Sequence, residues 1–200
     1  MVTAIYLAHL NPITNAHVEI INDLKNQADT IKVMPVIFLK EKKELNTRSF
    51  PFTFEVRKKM IESVFYDSVQ VSKNYTFEAP FSRYFPPLIS RLSWSLKKQI
   101  LSDVEDDYFT YTGDIAEGIM LTIYGLKPRI GSRKQISASS VKNKLYNTAL
   151  GNNSNWKDDV PSQVAKIIEE NWSIVEKFAN MSDYTTRVAG MKFPKEGWSK

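Results

Sequence analysis

Four short apolar runs, Thr3–Leu7, Ile31–Leu39, Ser68–Ser72 and Asp107–Thr112, alternate along the chain with stretches of helical spacing. This alternation leaves few folds open. Strands joined through helices lie parallel in one sheet, with right-handed crossovers that place the helices on its faces. The expected class is therefore α/β, with a parallel sheet and flanking helices. Ligands of such sheets bind outside the carboxyl ends of the strands, near the point where strand order reverses.

The helical stretches carry their own punctuation. Asn15 offers an N-cap to a helix whose apolar face is Val18, Ile20, Ile21 and Leu24. Thr53 does the same for Phe54–Phe65. Leu88, Leu92, Leu96 and Ile100 recur every four residues and predict a helix over Leu88–Leu101. Further helices are expected over Ile115–Tyr124, ended by Gly125, over Ser139–Leu150, and over Pro161–Ala179, where Pro161 suits the first turn. Pro35 lacks an amide donor, so within the second run it should sit at a sheet edge or bulge. Asn74–Pro87 reads as a loop rich in aromatics and prolines, opening an insertion of about 74–101. From Asn180 onward there is no periodicity. The expected organisation is one domain over 1–180 and a loosely held tail over 181–200.

Composition removes several chemistries. The chain has 200 residues and no cysteine, which excludes disulfides, thiolate zinc sites and cysteine nucleophiles. Its two histidines, His9 and His17, cannot make a three-histidine metal site. The net charge of +5 favours anionic partners. The basic residues are dispersed, however, and no RNA-binding signature is present, so nucleic acid is not expected. The N-terminal run has no basic region ahead of it, and no apolar stretch nears the roughly 20 residues that span a bilayer. A cytoplasmic protein without membrane attachment is the expectation.

The chemistry concentrates in the first strand-to-helix turn, Ala8-His9-Leu10-Asn11-Pro12-Ile13-Thr14-Asn15-Ala16-His17. A helix start presents free N–H groups and partial positive charge, a natural seat for phosphate. Thr14 and His17, three residues apart, can face one site, and the small Ala8 and Ala16 let a nucleotide approach the backbone. A second such start lies at Ile136-Ser137-Ala138-Ser139-Ser140-Val141-Lys142, with hydroxyls, free amides and a lysine. Serines at these places often only cap the helix.

The first turn resembles the signature of the cytidylyltransferase-like nucleotidyltransferases. Leu10 stands in the aromatic position, Thr14 in the first His/Thr position, Ala16 in a glycine position and His17 in the histidine position. Ala8 also replaces a glycine, so the backbone must avoid positive φ at both alanines. The stretch Asn11–Ile21 is especially similar to phosphopantetheine adenylyltransferase. Residues 136–142 resemble the family's second element, Ala138 replacing one of its hydroxyls. The closing segment, with Trp156 and Val160-Pro161 ahead of the last helix, resembles archaeal-type nicotinamide mononucleotide adenylyltransferases, as does Gly113-Asp114 after a strand.

The resemblance implies a Rossmann-like fold of the nucleotidyltransferase type and in-line attack of an acceptor phosphate on the α-phosphorus, without a covalent intermediate. His17 would donate to the α-phosphate and Thr14 to a neighbouring oxygen. Lys142, Ser137 and Ser139 would hold the departing pyrophosphate. Ala8, Leu10, Ala16, Gly113, Asp114 and Ile136 would line the nucleotide. His9 aligns with an acceptor-binding position, a packing role being the alternative. One of Lys40, Lys42 or Lys43 would meet the acceptor or α-phosphate, unless that cluster is a solvated loop. Magnesium is the implied cofactor, bridging phosphates through water. ATP and nicotinamide mononucleotide are the favoured pair. Phosphopantetheine, a sugar or polyol phosphate with CTP, and a non-catalytic nucleotide binder are the alternatives, and a homo-oligomer is implied. The aromatics Tyr75, Phe77, Phe81, Tyr84, Phe85 and Trp94 could stack a nicotinamide ring or simply pack.

Overall fold

A computed structural model describes residues 1–86, 89–105, 107–131, 136–188 and 190–198. Its centre is a five-stranded, all-parallel sheet built from β1 (Val2–Ala8), β2 (Thr30–Pro35), β5 (Gln70–Val71), β7 (Asp107–Thr112) and β8 (Pro128–Ile130), in the order β5-β2-β1-β7-β8. The central strand is buried on both sides, and its alternating residues feed two cores. Ala4 and Tyr6 point to one face, Ile5 and Leu7 to the other. The first face carries α1 (Asn15–Lys25), α2 (Phe54–Phe65), α5 (Ala138–Ala149), α6 (Ser162–Glu170) and α7 (Trp172–Ala179). The second carries α3 (Arg91–Ile100) and α4 (Ile115–Ile123). After β1 the chain builds outward through β2 and β5, then returns to the opposite side for β7 and β8. The switch point lies at the carboxyl ends of β1 and β7.

The second apolar run is two strands, not one. Pro35 ends β2 opposite Ala8, in an interior strand rather than at an edge or bulge. Val36 donates back to the Ala8 carbonyl at 3.0 Å, and β3 (Ile37–Lys40) then leaves for a small sheet with β4 (Lys43–Glu44) and β6 (Thr76–Glu78). Without an amide hydrogen Pro35 cannot extend the ladder, so the chain turns where the donor is missing.

Four further expectations need correction. Thr14, not Asn15, is the cap of α1; Asn15 is its first residue and donates through Nδ2 to the Asp158 carbonyl. The last helix breaks at Asn171, whose Nδ2 takes the Ile167 carbonyl at 2.8 Å and lets α6 and α7 pack on different helices. The helix within the aromatic insertion is α3, shorter than expected, while of the two roles open to its aromatics packing is the one seen for the buried Tyr75, Phe77, Phe81 and Tyr84. Leu88, at the start of the expected helix, and Pro87 lie outside the described residues. Finally, the tail is structured. It forms an antiparallel hairpin of β9 (Thr185–Val188) and β10 (Met191–Pro194). Phe193 is fully buried among Phe38, Phe77, Phe81, Phe85 and Trp198. Apolar partners up to 155 residues away in sequence hold that segment in place.

Among the described residues no helix is long and apolar enough to cross a membrane.

Candidate functional site

A cavity of about 280 Å³ opens over the switch point. From the carboxyl end of β1 it takes Ala8, His9 and Leu10; from α1, Ala16 and His17; from the end of β7, Thr112, Gly113 and Asp114. The start of α5 adds Ile136, Ser137, Ser139 and Lys142. The two helix starts singled out from the sequence, at Asn15 and Ala138, therefore face one space. Thr14 is fully buried behind it.

The turn after β1 has an unusual backbone. Ala8 and Ala16 avoid positive φ, while the non-glycine Leu10 adopts φ 47° and is buried. A buried leucine in the left-handed region is strained, and such strain gathers where structure is held for function. Asn11 fastens the turn from both ends of its amide: Nδ2 donates to the Phe52 carbonyl at 2.8 Å, and Oδ1 accepts from the Phe52 N–H at 3.1 Å.

His17 sits at the third position of α1 and closes a capping box with Thr14. Its Nδ1 accepts the Thr14 N–H at 3.0 Å, with the Thr14 hydroxyl also 3.0 Å away. An accepting Nδ1 carries no proton, so the hydrogen of the neutral ring is on Nε2. Burial, followed by Lys142, pushes the His17 pKa down to about 4. The ring is thus held as a neutral, oriented N–H donor lining the cavity.

Lys142 is the buried cation of the site. Its Nζ donates to the Asn11 carbonyl at 2.8 Å, bridging residues 131 apart in sequence. Burial, then Lys192, brings its pKa down to about 7, with Asp183 pulling the other way. An ammonium so poorly compensated gains from any anion that enters. Ser137 caps α5, accepting from the Ser140 N–H at 3.1 Å, as serines at helix starts commonly do. Ser139 is exposed and lines the cavity.

His9 packs and lines at once. Its ring stacks on Phe50 at 4.6 Å between centroids, yet its buried Nδ1 has no hydrogen-bond partner among the described residues. Burial, then the neighbouring cations, holds its pKa at about 3. Its carbonyl is tied by the buried Arg57, which also reaches the Val36 carbonyl and pairs with Glu44 at 2.9 Å.

The expected Lys40, Lys42 and Lys43 do not line the cavity. Lys40 pairs with Glu196 at 3.2 Å, Lys42 occupies an exposed turn at φ 64°, and Lys43 is an exposed residue of β4. The small sheet carries this loop away from the switch point. None of the six aromatics expected to offer a stacking surface lines the cavity either. Its rings are Tyr6, His9, His17 and Phe50.

Other groups stand in the space. Glu117 of α4 is buried, with Tyr75 donating to Oε1 at 2.8 Å and Thr112 to Oε2 at 2.5 Å. Burial lifts its pKa to about 7 against those two donors. Ser49, Arg187 and Lys192 also line the cavity. The Ser49 hydroxyl donates to Asp183 at 2.7 Å, and Lys192 reaches both Ser49 (2.9 Å) and Asp183 (3.2 Å). Sequence reasoning missed these three. The available signal was a β-branched run and an apolar-basic run separated by two residues ending in Gly190, a short hairpin pattern.

No family model matches the chain, and no curated protein matches it. Its fold is similar to that of a bifunctional NMN adenylyltransferase/ADP-ribose pyrophosphatase from Francisella tularensis, with a TM-score of 0.65 at 16% identity over 88% of this chain and 52% of that one. A structure of the same description, complexed with AMP and a manganese ion, gives 0.62 at 14% identity over 88% and 51%. A candidate nicotinate-nucleotide adenylyltransferase from Vibrio parahaemolyticus gives 0.52 at 12% over 88% and 96%. The chain spans about half the length of the Francisella protein. At such identities the likeness establishes the fold, an α/β architecture around a five-stranded parallel sheet.

Proposed function

We propose that the protein is a nucleotidyltransferase that transfers AMP from ATP to nicotinamide mononucleotide and releases pyrophosphate. The observation that carries this reading is the convergence of a neutral, cap-oriented His17 with the start of α5 and the buried Lys142 over the switch point. This arrangement suits phosphoryl chemistry, in which a protein contributes positioning and charge stabilisation rather than a covalent partner. The fold's likeness to a protein described as an NMN adenylyltransferase supports the choice of acceptor, together with the resemblance in the closing segment.

In this reading the acceptor phosphate attacks the α-phosphorus in line. His17 Nε2–H donates to the α-phosphate oxygen as charge builds there. Thr14 sets the ring's angle from behind through Nδ1, a positioning role rather than direct phosphate contact. Lys142 and Ser139 hold the β- and γ-phosphates, assisted by the free amides at the start of α5. Ala8 and Ala16 leave room for the nucleotide backbone, and Gly113 and Asp114 border it at β7.

Magnesium fits this site as an ion carried by the nucleotide. Among the described residues no cluster of three or more His, Cys, Asp or Glu is placed to hold a metal. The cavity carboxylates are already engaged, Asp114 with the Glu117 N–H and Glu117 with Thr112 and Tyr75. Phosphate oxygens and water would complete the ion's shell, and its charge would neutralise the triphosphate.

The test is pyrophosphate release by purified protein with magnesium, pairing ATP or CTP with nicotinamide mononucleotide, nicotinic acid mononucleotide, phosphopantetheine and several sugar and polyol phosphates. Release with ATP and nicotinamide mononucleotide is expected. Release with another pair would retain the chemistry and replace the acceptor. Clear nucleotide binding without release from any pair would leave a non-catalytic nucleotide binder.

A further inference from the structure

The C-terminal hairpin crosses the cavity rather than trailing from the fold. At one end Asp183, just before β9, accepts from the Ser49 N–H (3.1 Å), the Ser49 hydroxyl and Thr185 (3.1 Å). Arg48 donates to the Phe178 and Met181 carbonyls at the end of α7. At the other end Gly190, at φ 83°, presses so closely on Ala116 of α4 that a β-carbon there would collide with it. Phe193 pins the middle into the second core. The strap therefore spans from the loop beside His9 to the helix after β7.

Arg187 and Lys192 are direct cross-strand partners on this strap, so their side chains share a face, and both line the cavity. Like charges directly opposite one another destabilise a strand pair. Lys192 is partly neutralised by Asp183, while Arg187 donates from Nη1 to the Gly190 carbonyl at 3.1 Å. Lys192 also raises the positive potential felt by Lys142 and His9, which places it over the same space. Two cations side by side over a cavity that already holds a buried lysine, with Asp183 pairing Lys192, make a positive face suited to an anion.

We propose that β9 and β10 form the acceptor strap: Arg187 and Lys192 grip the phosphomonoester of the acceptor, leaving Lys142 and the start of α5 to the triphosphate. This rests on the reading of the cavity as a nucleotidyltransferase site. The placement follows from Lys192 being anchored at Ser49, next to Phe50 and the His9 ring. It gives the tail residues the task that the sequence had assigned to Lys40, Lys42 or Lys43.

The experiment is calorimetric titration of the full chain and of Arg187→Gln and Lys192→Gln. Three probes are used: nicotinamide mononucleotide, nicotinamide riboside, which lacks the phosphate, and α,β-methylene-ATP with magnesium. Arg187 is exposed, so its variant reads binding without a folding cost. Each substitution is expected to weaken the mononucleotide tenfold or more while leaving the riboside and the ATP analogue within twofold. Loss of the ATP analogue by a similar factor would overturn the proposal, because the cations would then serve the triphosphate. Unchanged mononucleotide binding in both variants would overturn it too. Failure of the unsubstituted protein to bind any nucleotide would refute the nucleotidyltransferase reading, and the strap with it.

Discussion

Replacing His17 by glutamine separates its two jobs. A glutamine at the third helical position still completes a capping box, its Oε1 able to accept the Thr14 N–H that Nδ1 now takes at 3.0 Å. What it cannot reproduce is a ring N–H fixed at the far side of the imidazole and aimed into the cavity. Loss of one preorganised donor to a developing phosphate charge costs roughly 100- to 1000-fold in kcat, or about 2.7–4 kcal/mol. Alanine would remove the donor and the bond to the Thr14 N–H together, adding about 0.5–1.5 kcal/mol of lost stability. The assay is pyrophosphate release under saturating ATP and nicotinamide mononucleotide, beside urea denaturation of each protein. His17→Gln should unfold like the parent and turn over at least 100-fold more slowly; His17→Ala should match its rate and unfold earlier. The ring is held neutral down to about pH 4, so the parent should show no His17 inflection near pH 6.5. A glutamine variant within threefold of the parent rate would refute the donor role, and an acid limb near 6.5 that vanished in it would refute the neutral ring.

Lys142 should make nucleotide binding pH-dependent. An anion favours its charged form, so affinity for the ATP analogue should fall as pH rises above about 7, by up to tenfold per unit, and Lys142→Met should flatten that slope in calorimetry. The same group sets a stability trend. Its folded pKa lies below its unfolded one, so the cost of charging it is complete below about pH 7 and disappears as pH rises through the unfolded value near 10.5. The stability difference between Lys142→Met and the parent, followed by thermal melts, should therefore favour the variant most at pH 7 and below, and shift toward the parent at higher pH. Phe193→Ala should cost about 3–5 kcal/mol by denaturant titration, as expected for a fully buried ring, although a loose tail would lose nothing. Arg57→Met takes this donor from Glu44 Oε1 and from the His9 and Val36 carbonyls, and should destabilise by about 3–5 kcal/mol, with no such loss if the residue were a solvated helix charge.

Much of the frame was legible in the chain because its signals are local. Strand and helix alternate with different periods, and that difference dictates a parallel sheet and a ligand site at the strand ends. Thr53, Ser137 and Gly125 mark helix ends through bonds that reach three or four residues, as observed for all three. His17, Ser139 and Lys142 stood out for the same reason, each at a helix start. Tertiary structure alone decided the rest. Lys142 meets the Asn11 carbonyl across 131 residues, and Phe193 finds Phe38 in another sheet. Lys40 turns outward because β2 ends at Pro35, level with the end of β1, and the chain leaves in β3 for the small sheet. Arg187 and Lys192 reach the cavity only because a buried ring and a close glycine fold the tail across it. Such placements follow from which surfaces exclude water together, a property of the assembled chain that no window of neighbouring residues contains.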